Sequence, residues 1–281
     1  MKKMCSPYSD KYAESFSCYT HKNILMLKYH WNIRHPDNKI ISNDYHEIWE
    51  ELNYYMKLYL CENEKCWLRK LVNDVNIQSN IFDESFKPQI PKHWIDKPRS
   101  WLSDLDISKV MRQYEISNKE FTFIGPTPID YDVCDKETNN WVWPELKNFN
   151  LEKYLNKNPS CKMIGVVFNL DDHKGNGTHW VSLFINIPDN KIYYFDSNGH
   201  SIPKNIRKLT NIIKEQGIKH NMNFSLSMNY PNEHQKKNTE CGVYVIYFII
   251  NMMQKNNWSL FKHGKIRDDD IHKYRRIYFS H

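Results

Sequence analysis

The sequence predicts an α+β fold, with a strand-and-helix second half preceded by a mainly helical module. Three observations carry that prediction. Apolar runs of strand length, separated by turn residues, fill 163–197. Longer stretches with apolar residues at helical spacing recur on both sides of them. A segment with three prolines, FKPQIPKHWIDKP (86–98), reads as a linker between the two parts. The expected division is 1–95 for the N-terminal helical arm and 96–281 for the second domain.

In chain order, YHEIWEELNYYMKLYLCEN places Ile48, Leu52, Tyr55, Met56 and Tyr59 on one face of an amphipathic helix. After the linker, SWLSDLDISKVMRQYEIS predicts a helix that starts at Ser103 or Asp104, either of which serves as an N-cap. Phe121–Ile124 is expected to be a strand that stops at Gly125-Pro126. MIGVVFNL (163–170) reads as a buried strand. HWVSLFINI (179–187), a turn at PDN, and KIYYFDS (191–197) read as a β-hairpin. IPKNIRKLTNIIKEQG predicts an amphipathic helix stopped by Gly217, and FSLSMN a further strand. The apolar run Val243–Ile250 fits a core helix, and a last helix is expected near Asp268–Tyr278.

Composition narrows the function classes. With 40% hydrophobic and 14% aromatic residues among 281, the chain buries a real core and is not globally disordered. The net charge of +6 is a small difference between 39 basic and 33 acidic residues spread along the chain. No dense Lys/Arg block marks a nucleic-acid arm. No apolar run approaches the ~18 residues of a membrane span. The seven cysteines are odd in number and irregular in spacing, and the opening MKKMCSPYSD has no signal-peptide character. These features favour reduced thiols in a cytosol-like compartment. Cys61 and Cys66 lack a second Cys or His pair at finger spacing, so no zinc site is expected there, and no cofactor is expected.

One stretch stands apart: QKKNTECGVYVIYFIINMM, which puts Cys241 between a polar approach and the apolar run. A helix N-terminus offers partial positive charge to a thiolate, and a nearby imidazolium favours that form further. Gly242 is read as leaving the approach to the sulfur open. His179 opens one hairpin strand and Asp196 closes the other. A turn at 188–190 sets 196 across from 182, about 10 Å along the ladder from His179. An Asp beside His orients the ring and stabilises its protonated form. Gln235, six residues before Cys241, offers a side-chain amide that, with the Cys241 backbone N–H, makes an oxyanion hole. His173 and His234 are competing bases, though neither is followed by Trp nor leads into the hairpin strand.

The order GTHW, YYFDSNG, Q-x5-CG, preceded by WLSD, resembles the Ulp-type SUMO proteases and the adenovirus-protease-like cysteine proteases. VFNLDDHKGNGTHWVSLFINI, the TECG core and the ending DDDIHKYRRIYF are similar to the polyprotein-processing proteases of large cytoplasmic DNA viruses, the African swine fever virus type. The resemblance covers roughly 99–281. It implies a papain-like cysteine protease core with a central mixed sheet flanked by helices. It implies Cys241 as nucleophile, His179 as base and then acid, Asp196 as orienting residue and Gln235 as oxyanion donor, with Asn169 in support. It also implies that Trp101 and Trp180 clamp a Gly-Gly tail in a slot too narrow for a Cβ.

The expected function is therefore a cysteine endopeptidase that processes viral structural polyproteins after Gly-Gly or Gly-Ala sites during virion maturation, in the host cytoplasm and the virion. The alternatives are an isopeptidase for SUMO or ubiquitin-like conjugates, and an inactive binding module on the same fold. DNA, an activator of adenovirus-type relatives, is permitted by the charge and not required by it. Nothing in the sequence fixes the oligomeric state or the role of the first 95 residues.

Overall fold

The computed structural model describes residues 4–157, 159–255 and 257–280. The chain divides into two compact units, 1–90 with 276–281, and 91–275.

The first unit is helical: α1 (Pro7–Tyr12), α2 (His21–Arg34), α3 (Tyr45–Leu58), α4 (Glu64–Leu71) and α5 (Val75–Ser85). Each begins on a side chain that accepts from a first-turn N–H: Ser6, Thr20, Asp44, Asn63 and Asp74. In α3, Ile48, Leu52 and Met56 are buried as expected, whereas Tyr59 lies beyond the helix end and is exposed. Trp31, Trp67 and Tyr19 fill the core with them.

Two expectations need correction here. The arm's cysteines are not free thiols: Cys5 is joined to Cys18 and Cys61 to Cys66, with Cα–Cα separations of 5.1 and 5.5 Å. Cysteine count and spacing do not say which thiols the fold brings within bonding distance. The boundary also differs from 95/96. The Ile90 N–H donates to the Ser280 carbonyl (3.0 Å) and the Ser280 N–H to Pro88 (2.8 Å), so the chain's end pairs with the proline segment.

The second unit is built on a mixed sheet. Ser103 and Asp106 form a reciprocal capping box that starts α6 (Asp104–Ser117). β1 (Phe121–Pro128) runs past the expected stop because a bulge between Ile124 and Thr127 lets pairing resume. A short hairpin, β2 (Cys134–Asp135) and β3 (Asn140–Trp141), is followed by α7 (Pro144–Lys147) and α8 (Leu151–Leu155). Then come β4 (Met163–Asn169), β5 (Trp180–Asn186), β6 (Lys191–Phe195), α9 (Lys204–Lys219), β7 (Ser225–Met228) and α10 (Cys241–Lys255). Three short helices close the chain: α11 (Trp258–Lys262), α12 (Asp268–His272) and α13 (Arg275–Tyr278). The last two replace the single helix expected there.

The sheet order is β1-β4-β5-β6-β7, parallel at both outer pairs and antiparallel at the two inner ones. On one face Ile164, Val166, Leu183 and Ile192 pack with Ile206, Leu209 and Ile213 of α9. On the other, Phe195 stacks on Phe248 of α10 with ring centroids 4.9 Å apart. Gly217 does not stop α9: it lies inside the helix because a Cβ there would sit 2.5 Å from Phe224 Cδ2, which leads into β7.

The hairpin register is shifted by one from the expected pairing. Asn186 pairs with Lys191 and Ser182 with Phe195, because the loop takes four residues, 187–190, with Asn190 at positive φ. That shift carries Asp196 one residue closer to His179.

Candidate active site

Cys241 is the first residue of α10 and is buried, 2% exposed. The Tyr244 N–H donates to the Glu240 carbonyl (2.9 Å), so the helix begins with the thiol in its first turn, where unpaired amide dipoles point. His179 immediately precedes β5 and Asp196 immediately follows β6, so the ends of two paired strands carry them. The His179 Nε2 lies 2.7 Å from Asp196 Oδ1. The Cys241 side chain also favours the protonated ring, and Nδ1 is the nitrogen that Asp196 does not engage. Burial pushes the imidazole pKa down, but the Asp196 hydrogen bond and the electrostatic pull of Asp196 and Cys241 outweigh it, and the value is raised to about 9. At neutral pH the ring is therefore an imidazolium.

Asp196 is fully buried and held from both sides. Its Oδ1 also accepts from the Asn198 N–H (2.8 Å). Asn229 grips its backbone: the Asp196 N–H donates to Asn229 Oδ1 (2.9 Å), and Asn229 Nδ2 donates to the Asp196 carbonyl (2.7 Å). Gln235, 3% exposed, lies in the loop between β7 and α10. Its Oε1 accepts from the Ser197 hydroxyl (2.8 Å), which leaves Nε2 as the free donor end. Asp268 Oδ2 secures the next turn by accepting from the Lys236 and Lys237 N–H groups, both 2.9 Å.

The competing histidines are committed elsewhere. His234 Nε2 donates to the Phe261 carbonyl (2.8 Å) while Nδ1 accepts from the Ile266 N–H (3.2 Å), and burial lowers its pKa. His173 Nδ1 is 2.6 Å from Asp130 Oδ2. Asn169 closes β4, and its Oδ1 accepts from the N–H groups of Asp171 and Thr178 (both 3.0 Å), drawing in the loop that delivers His179.

Trp101 and Trp180 line one cleft of about 680 Å³, together with Leu102, Pro126, Trp143 and Gly177. Each indole is held by its N–H: Trp180 Nε1 donates to the Leu102 carbonyl (3.1 Å) and Trp101 Nε1 to the Asn238 carbonyl (2.6 Å). Trp180 is nearly buried, and Trp101 is 40% exposed. Gly242 corrects the sequence reading. Its missing side chain faces Leu102 and not the approach to the sulfur, and a Cβ there would lie 2.8 Å from Leu102 Cβ.

Sequence reasoning missed Ser197, Asn229 and a buried ion cluster behind Cys241. Glu240, with no exposed surface, takes Arg275 Nε (2.8 Å) and His272 Nδ1 (2.9 Å) on its two oxygens. Arg275 Nη2 also donates to the Thr239 carbonyl (3.1 Å), and its guanidinium lies 4.4 Å over the Trp94 ring. The adjacency of Glu240 to Cys241 was the one signal available. No cluster of metal-ligating side chains is found among the described residues.

The model of the Ulp1 protease family C-terminal catalytic domain matches residues 146–281, a span that holds His179, Asp196, Gln235 and Cys241. A protein of Acanthamoeba polyphaga mimivirus that carries a thiol-protease name is 30% identical over 220 residues, covering 78% of this chain and 68% of that protein. The SUMO-1 cysteine protease of an African swine fever virus warthog isolate is 30% identical over 185 residues, 63% of this chain and 67% of that one. In fold, the chain is similar to the crystal structure of an African swine fever virus protease, with a TM-score of 0.65 at 19% identity, covering 100% of this chain and 98% of the other.

Proposed function

This chain belongs to the Ulp1 family of cysteine proteases, and from that premise we propose that it is a viral endopeptidase cutting structural polyproteins after Gly-Gly or Gly-Ala pairs during virion maturation. The observation that carries the catalytic part is the His179 ring, hydrogen-bonded through Nε2 to Asp196 and favoured in its protonated form by Asp196 and Cys241 together. In this reading the Cys241 thiolate attacks the scissile carbonyl. The oxyanion accepts from Gln235 Nε2 and the Cys241 backbone N–H. His179 passes its proton to the leaving amine and a thioester forms. His179, now neutral, takes a proton from water, whose oxygen attacks the thioester; the sulfur departs as the thiolate and the proton stays on His179, which restores the starting pair. Asp196 keeps the ring oriented and stabilises its cationic form throughout.

Trp101 and Trp180, on the walls of one cleft, supply the preference for glycine, because flat indole faces leave no space for a Cβ. Asn169 supports the loop before His179. The reaction needs no metal or cofactor. DNA is a permitted activator, and unchanged turnover after nuclease treatment would remove it. In this reading the protein acts in the host cytoplasm and the virion. No helix among the described residues is long and apolar enough to cross a membrane.

A relative carries the name SUMO-1 cysteine protease, which favours a second reading as an isopeptidase for SUMO-like modifiers. One experiment separates the two. Wild-type protein and Cys241→Ala are incubated with peptides varied at the two positions before the scissile bond, and separately with a SUMO conjugate. Cleavage of short Gly-Gly peptides by the wild type alone supports polyprotein processing. Cleavage confined to the conjugate, with tight binding of free SUMO, supports the isopeptidase. Turnover by Cys241→Ala would falsify the nucleophile.

A further inference from the structure

Resting on the reading of Gln235 as oxyanion donor, we propose that Ser197 is the positioning residue that decides which end of the Gln235 carboxamide faces the scissile carbonyl. The two ends of a carboxamide have nearly the same shape and opposite hydrogen-bonding character. Nε2 stabilises a developing oxyanion, whereas Oε1 in its place repels it. Gln235 is only 3% exposed, so bulk water does not settle the orientation and a neighbour must.

Ser197 is that neighbour, and it is fully buried. Its carbonyl accepts from the N–H groups of His234 and Gln235, both 2.8 Å, which fixes the backbone on which the side chain is mounted. Its hydroxyl then donates to Gln235 Oε1 at 2.8 Å, which fixes the tip. If the amide were reversed, the hydroxyl would accept from Nε2, but its own buried proton would lose its acceptor. That imbalance selects the productive orientation. Position in the chain adds to the argument. Ser197 follows Asp196, whose side chain holds His179 and whose backbone is gripped by Asn229. One dipeptide at the end of β6 therefore sets both the base and the oxyanion donor.

The test compares Ser197→Ala, Gln235→Ala and the double variant on a Gly-Gly peptide, with iodoacetamide alkylation of Cys241 as a parallel readout. Alkylation uses the thiolate but builds no oxyanion. Expected for Ser197→Ala are a kcat lower by roughly tenfold to a hundredfold, a KM within about twofold and an unchanged alkylation rate. The double variant should be no slower than Gln235→Ala alone. Ser197→Cys, close in volume but a weak donor, should show the same pattern and serves where the alanine variant does not fold. Wild-type kcat in both Ser197 variants beside a slow Gln235→Ala overturns the role of Ser197 alone. So does a further loss in the double variant, or a loss of alkylation that parallels the loss of turnover. Wild-type kcat in Gln235→Ala overturns the oxyanion reading beneath it as well.

Discussion

Leu102 stands where a side chain on residue 242 would have to go: a Cβ at Gly242 would lie 2.8 Å from Leu102 Cβ and 3.1 Å from its Cδ1. The Leu102 carbonyl also receives the Trp180 indole N–H. The glycine beside Cys241 thus seats the segment that orients one of the two cleft tryptophans. Gly242→Ala should push that segment away, since overpacking a filled site costs about 1–3 kcal/mol. The expected outcome is a fall in kcat/KM on Gly-Gly peptides of at least tenfold, with Cys241 still alkylated at near the normal rate. Equal loss of peptide turnover and alkylation would mean instead that the helix start itself had moved.

The His179–Asp196 pair should show itself in pH dependence. The folded-state pKa of His179 is raised from the ordinary 6.5 to about 9. Protonation of this ring therefore stabilises the folded protein fully below pH 6.5, and the contribution fades as pH climbs through 9. Asp196→Asn removes one of the groups holding the proton. The alkaline limb of kcat/KM should move down from near pH 9 toward neutrality, and the decline in folding stability between pH 6.5 and 9 should become shallower. The measurements are a pH–rate profile and urea unfolding at several pH values. A limb that stays at 9 in the variant would leave Asp196 without its assigned effect on the ring.

What could be read from the sequence was chemistry carried by residue type and order. A Cys at the start of an apolar helix, a His opening one strand and an Asp closing the next announce themselves by identity and periodicity. The hairpin was legible too, but its register was not, because a four-residue loop and a three-residue turn look alike until Asn190 adopts positive φ. Ser197 and Asn229 were silent for another reason. Their roles consist wholly of contacts across more than thirty residues, and neither type nor spacing signals them. Gly217 misled because glycine serves close approach as well as helix termination, and here Phe224 decides between them.

The cysteines allow a direct count. Of seven, four lie in two disulfides, which leaves Cys134, Cys161 and Cys241. Denatured without reductant, the protein should take up three equivalents of a thiol reagent, and seven after reduction. Native protein should yield less than three, because Cys161 and Cys241 are buried. Seven equivalents without reductant would show the arm's thiols to be reduced, as the sequence alone had suggested. Peptide mapping of the alkylated protein assigns each site.

The buried cluster behind Cys241 gives the largest expected effect on stability. Glu240 has no exposed surface and Arg275 little, and they meet through a 2.8 Å hydrogen bond between Arg275 Nε and Glu240 Oε2. Arg275 bonds the Thr239 carbonyl as well, so one guanidinium ties the chain near its end to both residues that precede Cys241. Removing one member of a buried ion pair leaves the other charged without its partner, at a typical cost of about 3–5 kcal/mol. Glu240→Ala should therefore lower the free energy of unfolding by that order. Turnover should fall with it, because the Glu240 carboxylate anchors the residue directly before Cys241 through Arg275 and His272. Arg275→Ala should be similarly destabilising. The double variant should lose less than the sum of the two, because neither charge is then stranded. Urea titration of the four proteins measures the coupling, and simple additivity would show that the two charges are not energetically paired.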